Sequence, residues 1–299
     1  MRFGSGSRVG GGLIIALIIA VIGLVKFFGS SQENPVTGES QRVSLTPQQE
    51  VALGLQSAPQ MAQQMGGVVP PSDPRTRFVQ EIGQKLVAQI DKEHPWKFQF
   101  HLLADDKTVN AFALPGGQIF ITLALLQQLQ NEAQLAGVLG HEIGHVIERH
   151  SAEHMAKSDL SRNLVTAVGV GASGSDGGGQ FAHMAAAVAA NMINLKYGRN
   201  DELESDKYGV NYLVKAGYDP REMAGVMEIL KKASGGRSGP EFASSHPDPG
   251  NRTQQIEAII KELFPQGVPQ NLTRGAALSN GMPAGGAAAP TSTGGRKPW

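Results

Sequence analysis

The sequence predicts an α+β protein, mainly helical around a small sheet, with one apolar segment ahead of it. Three observations carry that reading. Apolar residues recur at helical spacing over several long stretches. Short runs between Trp96 and Thr122 read as strands, and Leu13 to Phe28 is almost unbroken aliphatic. A length of 299 residues and a hydrophobic share of 40% suffice for a sizeable core. Lys+Arg and Asp+Glu balance at 26 each, which removes the electrostatic case for a nucleic-acid partner. The chain has no cysteine, so disulfide scaffolds, cysteine-ligated zinc and thiol nucleophiles are excluded.

The elements follow in order. Arg2 and Arg8 precede the apolar run, and Gly10 to Phe28 reaches the lower limit for crossing a bilayer. Residues 1–29 therefore read as a signal anchor or as a signal peptide cut near Gly29-Ser30-Ser31. Either way, positive charge ahead of the segment keeps the amino terminus in the cytoplasm and exports the rest. Residues 30–43 form a polar linker. Thr46-Pro47-Gln48-Gln49-Glu50 is a capped helix start, and that helix is expected to run to about Met65. Pro70-Pro71-Ser72-Asp73-Pro74 breaks the chain, after which Phe78, Ile82, Leu86 and Ile90 mark a second helix. Trp96 to Leu103 alternates like a strand. Val109 to Leu114 and Ile119 to Ile121 are two more, joined by a turn at Pro115-Gly116-Gly117. Leu123 to Lys157 has helical spacing, and Gly169 to Gly179 is a flexible glycine-serine loop. Further helices are expected within Phe181 to Lys215 and from Pro220 to Lys232. Residues 271–299 read as a disordered tail rich in glycine, alanine and proline, leaving one catalytic-sized domain over 44–270.

The chemistry concentrates in His141-Glu142-Ile143-Gly144-His145. Residues four apart on a helix share a face, so both imidazoles can reach one ion, and Glu142 sits one step round as a general base. Leu135, Val138, Leu139, Ile143, Val146 and Ile147 surround the pair. Polar groups in so apolar a helix need strong partners. Gly140 and Gly144 weaken the helix and imply close approach of another element. His150-Ser151-Ala152-Glu153-His154 has the inverted form of the motif. A continuous helix would turn it away from the first pair, and charged Glu148, Arg149 and Lys157 mark it as solvated surface.

Catalytic zinc takes three protein ligands, so one must come from elsewhere. Between Gly198 and Asp206, helical geometry separates two stripes. Asn200, Glu204, Lys207, Asn211 and Lys215 make a polar one, with Glu204 facing solvent and pairing with Lys207. Glu202, Asp206, Gly209 and Leu213 make one that turns apolar. Glu202 is the expected third ligand, and Asp206, one turn on, is placed to accept the free N–H of a ligand histidine. One zinc ion per chain is expected.

HEIGHVIERH, then GRNDELESD, then SSHPDPGNR, preceded by NAFALPGGQIFIT, resembles the HtpX/BepA/Oma-type gluzincin peptidases, metallopeptidase family forty-eight. The matches run from Asn110 to Arg252 in the family's order. The resemblance implies a zincin-like peptidase domain and places its ExxxD element on Glu202 and Asp206. It places a histidine before proline on His246, as oxyanion donor or as a gate on zinc, and an arginine on Arg252. Gly198 and Ser205 depart from the family's usual serine and alanine, both small for small. With no TPR-like or multi-spanning segment, the chain is similar to a minimal exported branch of the family.

The expected activity is hydrolysis of peptide bonds in unfolded or misfolded envelope proteins, the quality-control role that the resemblance implies. An edge strand through Asn110, Ala111 and Phe112 would pair with extended substrate backbone. The catalytic domain is expected in the periplasm, tethered by the N-terminal segment. The alternative is a zinc-containing, chaperone-like binding protein with little proteolysis.

Overall fold

A computed structural model describes residues 7–169, 196–233, 245–246 and 251–284. Helix α1 (Ser7–Gly29) leads into a short antiparallel hairpin, β1 (Ser31–Glu33) and β2 (Ser40–Arg42), within the expected linker. Helix α2 (Pro47–Gln64) begins where the sequence places it. Thr46 and Gln49 form a reciprocal capping box, and Met65 caps the far end. Asp73 caps α3 (Pro74–Val87) by accepting from the Arg75 N–H.

The central sheet has three strands in the order β3 (Gln99–Leu103), β5 (Gln118–Thr122), β4 (Ala111–Leu114). β3 runs parallel to β5, and β4 pairs antiparallel with it, Phe112 opposite Phe120. β3 begins later than Trp96. The backbone N–H groups of Lys97 and Gln99 donate to Gly116 and Gly117, whose φ angles of 79° and 106° bend the chain too sharply for a regular ladder. Trp96 and Phe98 are buried all the same. Helices α3 and α5 pack against the sheet in one large core, and α2 covers a smaller cluster around Phe112, Leu114 and Phe120.

The long helical stretch after Leu123 is three helices: α4 (Leu123–Leu126), α5 (Glu132–Ile147) and α6 (His150–Gly169). The last break is set by Arg149, whose φ is 57°. That left-handed turn overrides the continuous rotation assumed for His150. It is held by burial, since Arg149 donates twice to Glu50 (2.8 and 2.6 Å) and once to the Leu45 carbonyl (2.7 Å). The β1–β2 hairpin closes the end of α5. Asn34 donates to the Ile147 carbonyl at 2.7 Å and Gln41 to the Glu148 carbonyl at 2.6 Å, satisfying groups a helix end leaves bare. Glu148 and Arg149 are therefore buried, contrary to the surface assignment.

Helices α7 (Arg199–Lys215), α8 (Glu222–Ala233) and α9 (Arg252–Leu263) follow among the described residues. The stretch 271–284 is ordered chain rather than tail. It carries β6 (Leu278–Ser279) and β7 (Met282–Pro283), and the Ala276 and Arg274 carbonyls accept from Glu132 and Ala133 at the start of α5. The expected glycine-serine loop, apart from Gly169, and residues 285–299 lie outside the described residues. Among the described residues no helix is long and apolar enough to cross a membrane.

Candidate metal centre

α5 and α7 cross at small residues. A Cβ on Gly140 would lie 3.2 Å from the Gly209 Cα, and one on Gly144 would lie 2.9 Å from the Ser205 Cα. This is the close approach that the two glycines imply, and it brings the inward stripe of α7 against the histidine face of α5. Chain ahead of α9 supplies His246, and the first residue of α9 is Arg252.

His141, His145, Glu202 and His246 are all buried and converge, one donor atom from each lying within 4.8 Å of the others. The Nε2 atoms of His141 and His145 are 3.0 Å apart. The Glu202 carboxylate oxygens lie 3.5 and 3.6 Å from them. His246 Nδ1 is 3.0 Å from Glu202 Oε1 and 3.3 and 3.2 Å from the two histidine nitrogens. Donors about 2.0–2.1 Å from a tetrahedral zinc stand about 3.3 Å from one another, so these spacings are those of tetrahedral edges.

The electrostatics ask for a cation at the same place. Burial opposes protonation of His141, yet hydrogen bonds to Asp206 and Glu202 prevail and its pKa is pushed up to about 9. Burial and the neighbouring His141 and His246 drive His145 down, as suits a neutral ligand. Burial works against the charged form of Glu202, but His246, His141 and Arg252 hold its carboxyl well below the usual range. Burial pushes the Glu142 carboxyl up. Among the described residues neither Glu142 oxygen has a hydrogen-bond partner, and His246 Nε2 stands 3.5 Å from one of them. A buried carboxylate so placed is costly unless a bound water or ion serves it. The donor set and this orphaned base together fit a zinc site.

Around the donors lies a braced layer. His141 Nδ1 lies 2.9 Å from Asp206 Oδ1, as the stripe argument expects, so that with an ion bound the ring's proton would sit on Nδ1 and Nε2 would face the cluster. Arg252 grips Asp206 with two bonds, 2.9 and 2.6 Å, and reaches Glu202 Oε2 at 2.7 Å. Tyr197 stacks on His145 with ring centres 3.9 Å apart, and its hydroxyl pairs with Ser151 at 3.0 Å.

Sequence reasoning missed Tyr197 and His150. His150 is buried, not solvated: its Nδ1 lies 2.9 Å from His145 Nδ1 and its Nε2 3.1 Å from Glu204. Glu204 is exposed as expected, its side chain at 53%, but its partner is His150 rather than Lys207. Five-residue spacing from His145 to His150 was the available signal, and only the left-handed Arg149 makes it meaningful.

Asn110, Ala111 and Phe112 lie at the β4 edge, and among the described residues no other strand pairs with its far side. Thr122 N–H donates to the Asn110 carbonyl, so in an antiparallel ladder the backbones of Ala111 and Ala113 face outward. The Phe112 ring is buried against Phe120, 4.9 Å between centres, away from any extended partner.

A helix carrying HExxH, crossed by a second helix that supplies a buried glutamate and a braced aspartate, defines the class of helix-borne zinc metallopeptidase centres. The chain belongs to peptidase family M48, whose profile matches residues 73–260. It is 31% identical over 263 residues to the Beta-barrel assembly-enhancing protease of Escherichia coli (strain K12), covering 85% of this chain and 53% of that one. It is 30% identical over 200 residues to Mitochondrial metalloendopeptidase OMA1 of Schizosaccharomyces pombe, covering 65% and 56%. With Metalloendopeptidase OMA1, mitochondrial, of Homo sapiens it shares 27% over 252 residues, covering 81% and 48%. The chain thus spans about half the length of the curated relatives it matches.

Proposed function

We propose that the chain is a zinc-dependent endopeptidase acting on unfolded or misfolded proteins of the cell envelope. The observation that carries this is the convergence of His141, His145 and Glu202 beside a buried Glu142 with no hydrogen-bond partner among the described residues. Bound zinc supplies Lewis acidity, polarising a scissile carbonyl and acidifying water. Glu142 takes the proton of the attacking water and returns it to the leaving amine. Asp206, held by Arg252, keeps the His141 proton on Nδ1 and away from the reacting face. The outward backbone of Ala111 and Ala113 pairs with extended substrate, which favours unfolded chains and asks little of their side chains. Glu142→Gln should abolish cleavage of an unfolded protein, by about a hundredfold or more, while the protein still binds zinc. Undiminished turnover in that variant would leave only a chaperone-like role.

His246 supports a second state. Its Nδ1 already stands among the donors, so with an ion bound His246 would supply a fourth ligand and close the centre at rest. This favours the gate over the oxyanion donor. A permanently closed, structural zinc is disfavoured, because it gives Glu142 no task.

Membrane attachment through α1 is supported by the row of exposed apolar side chains along it, among them Leu17 at 65% and Val25 at 66%. Arg2 and Arg8 ahead of that row support a catalytic domain on the periplasmic side. The printed name of the bacterial relative, a β-barrel assembly-enhancing protease, fits an envelope quality-control role.

A further inference from the structure

The inverted motif beginning at His150 has no part in the reaction described so far, yet its first residue touches a metal ligand. We propose that His150, backed by Glu204, is a positioning residue that fixes the proton of His145 and turns its Nε2 lone pair to the ion. This rests on the zinc reading above.

The hydrogen bonds dictate the direction. Glu204 is a carboxylate and can only accept, so His150 Nε2, at 3.1 Å, carries the proton. An ion held on His145 Nε2 would leave that ring's one proton on Nδ1, so His150 Nδ1 is then the acceptor. His145 Nδ1, 2.9 Å away, must donate to it. His145 Nε2 is left bare, 3.0 Å from His141 Nε2 and 3.2 Å from His246 Nδ1. The carboxylate–histidine–metal arrangement used at His141 is thereby lengthened by one ring at His145. One ligand is fixed by the buried Asp206, and the other through His150 by a carboxylate at the surface.

The fold builds this relay on purpose-made geometry. The left-handed Arg149 swings the start of α6 back so that His150 meets His145. The Gly144–Ser205 crossing brings α7 close enough for Glu204 to overhang it. One turn along α6, His154 bonds Asp201 at 2.7 Å and pins the two helices together. Ser205 Oγ lies 3.5 Å from His150 Nδ1, and Asp201 Oδ1 stands 4.0 Å from its Nε2, behind Glu204.

The test is zinc affinity of the full chain, measured by competition with a chromophoric chelator, together with the melting temperature of the metal-stripped protein. His150→Phe keeps volume but cannot accept, and should weaken zinc binding about 10- to 100-fold with little change in the metal-free melt. His150→Asn offers a carbonyl oxygen near the Nδ1 position and should restore affinity to within about threefold of the native chain. Native affinity in His150→Phe, or equal weakness in both variants, would overturn the proposal. If His150→Phe does not fold, Glu204→Ala decides: a loss of a few-fold or more supports the relay, and unchanged affinity sinks it. A native chain that takes up no zinc would instead refute the metal reading itself.

Discussion

At the scale of single residues, the centre separates into what the chain announces and what it hides. His141, Glu142 and His145 are legible because helical spacing alone puts the two imidazoles on one face with Glu142 one step round. Glu202 and Asp206 are legible because their stripe turns apolar while that of Glu204 stays polar, and the structure buries the first two and exposes the third. His150 is not legible, because its place depends on one residue adopting φ of 57°, which no helical count foresees. Tyr197 is hidden for a similar reason: nothing in its neighbourhood along the chain says that its ring will lie on His145. His246 yields the sharpest residue-scale prediction. If its Nδ1 holds the fourth place at rest, His246→Ala should raise the turnover of an unfolded substrate several-fold. An oxyanion donor would give the opposite, a fall of about a hundredfold, and steady-state kinetics on the purified chain tell them apart.

Elements carry the next level. Gly140 and Gly144 predict a close neighbour from sequence, and α7 is that neighbour, its backbone held against theirs. A branched side chain has no room there. Gly144→Val should cost about 1–3 kcal/mol in urea denaturation, since the Ser205 backbone that it would strike cannot yield like a side chain end. Zinc affinity should fall with it, because this crossing sets the distance between Glu202 and the two histidines. The element boundaries were the less readable part. The helical period after Leu123 persists through two breaks, and the strand signal at Trp96 and Phe98 reflects burial without a ladder, because period and burial are visible in sequence whereas long-range hydrogen bonds are not.

Considered whole, the molecule gathers charge where it has least water. Three carboxylates, three imidazoles and Arg252 share one buried site, so a metal bound there would be thermodynamically linked to the fold. Chelation should lower the melting temperature, and at free zinc a thousandfold above its dissociation constant the added stability is about 4 kcal/mol. An unchanged melt after complete removal would count against the site. Deleting residues 1–29 should move the protein from the membrane fraction to the soluble one, with peptidase activity kept; a truncated form that still sediments with membranes would refute attachment through α1.

The hairpin between α1 and α2 couples the first helix to the metal centre. Asn34 and Gln41 reach across from it to grasp the last carbonyls of the helix that carries both histidines. Tension or tilt applied to the first helix is therefore delivered, within a dozen residues of chain, to the floor of the reaction chamber. If α1 is the point of attachment proposed above, whatever shifts that helix has a short lever on how firmly the histidines are held.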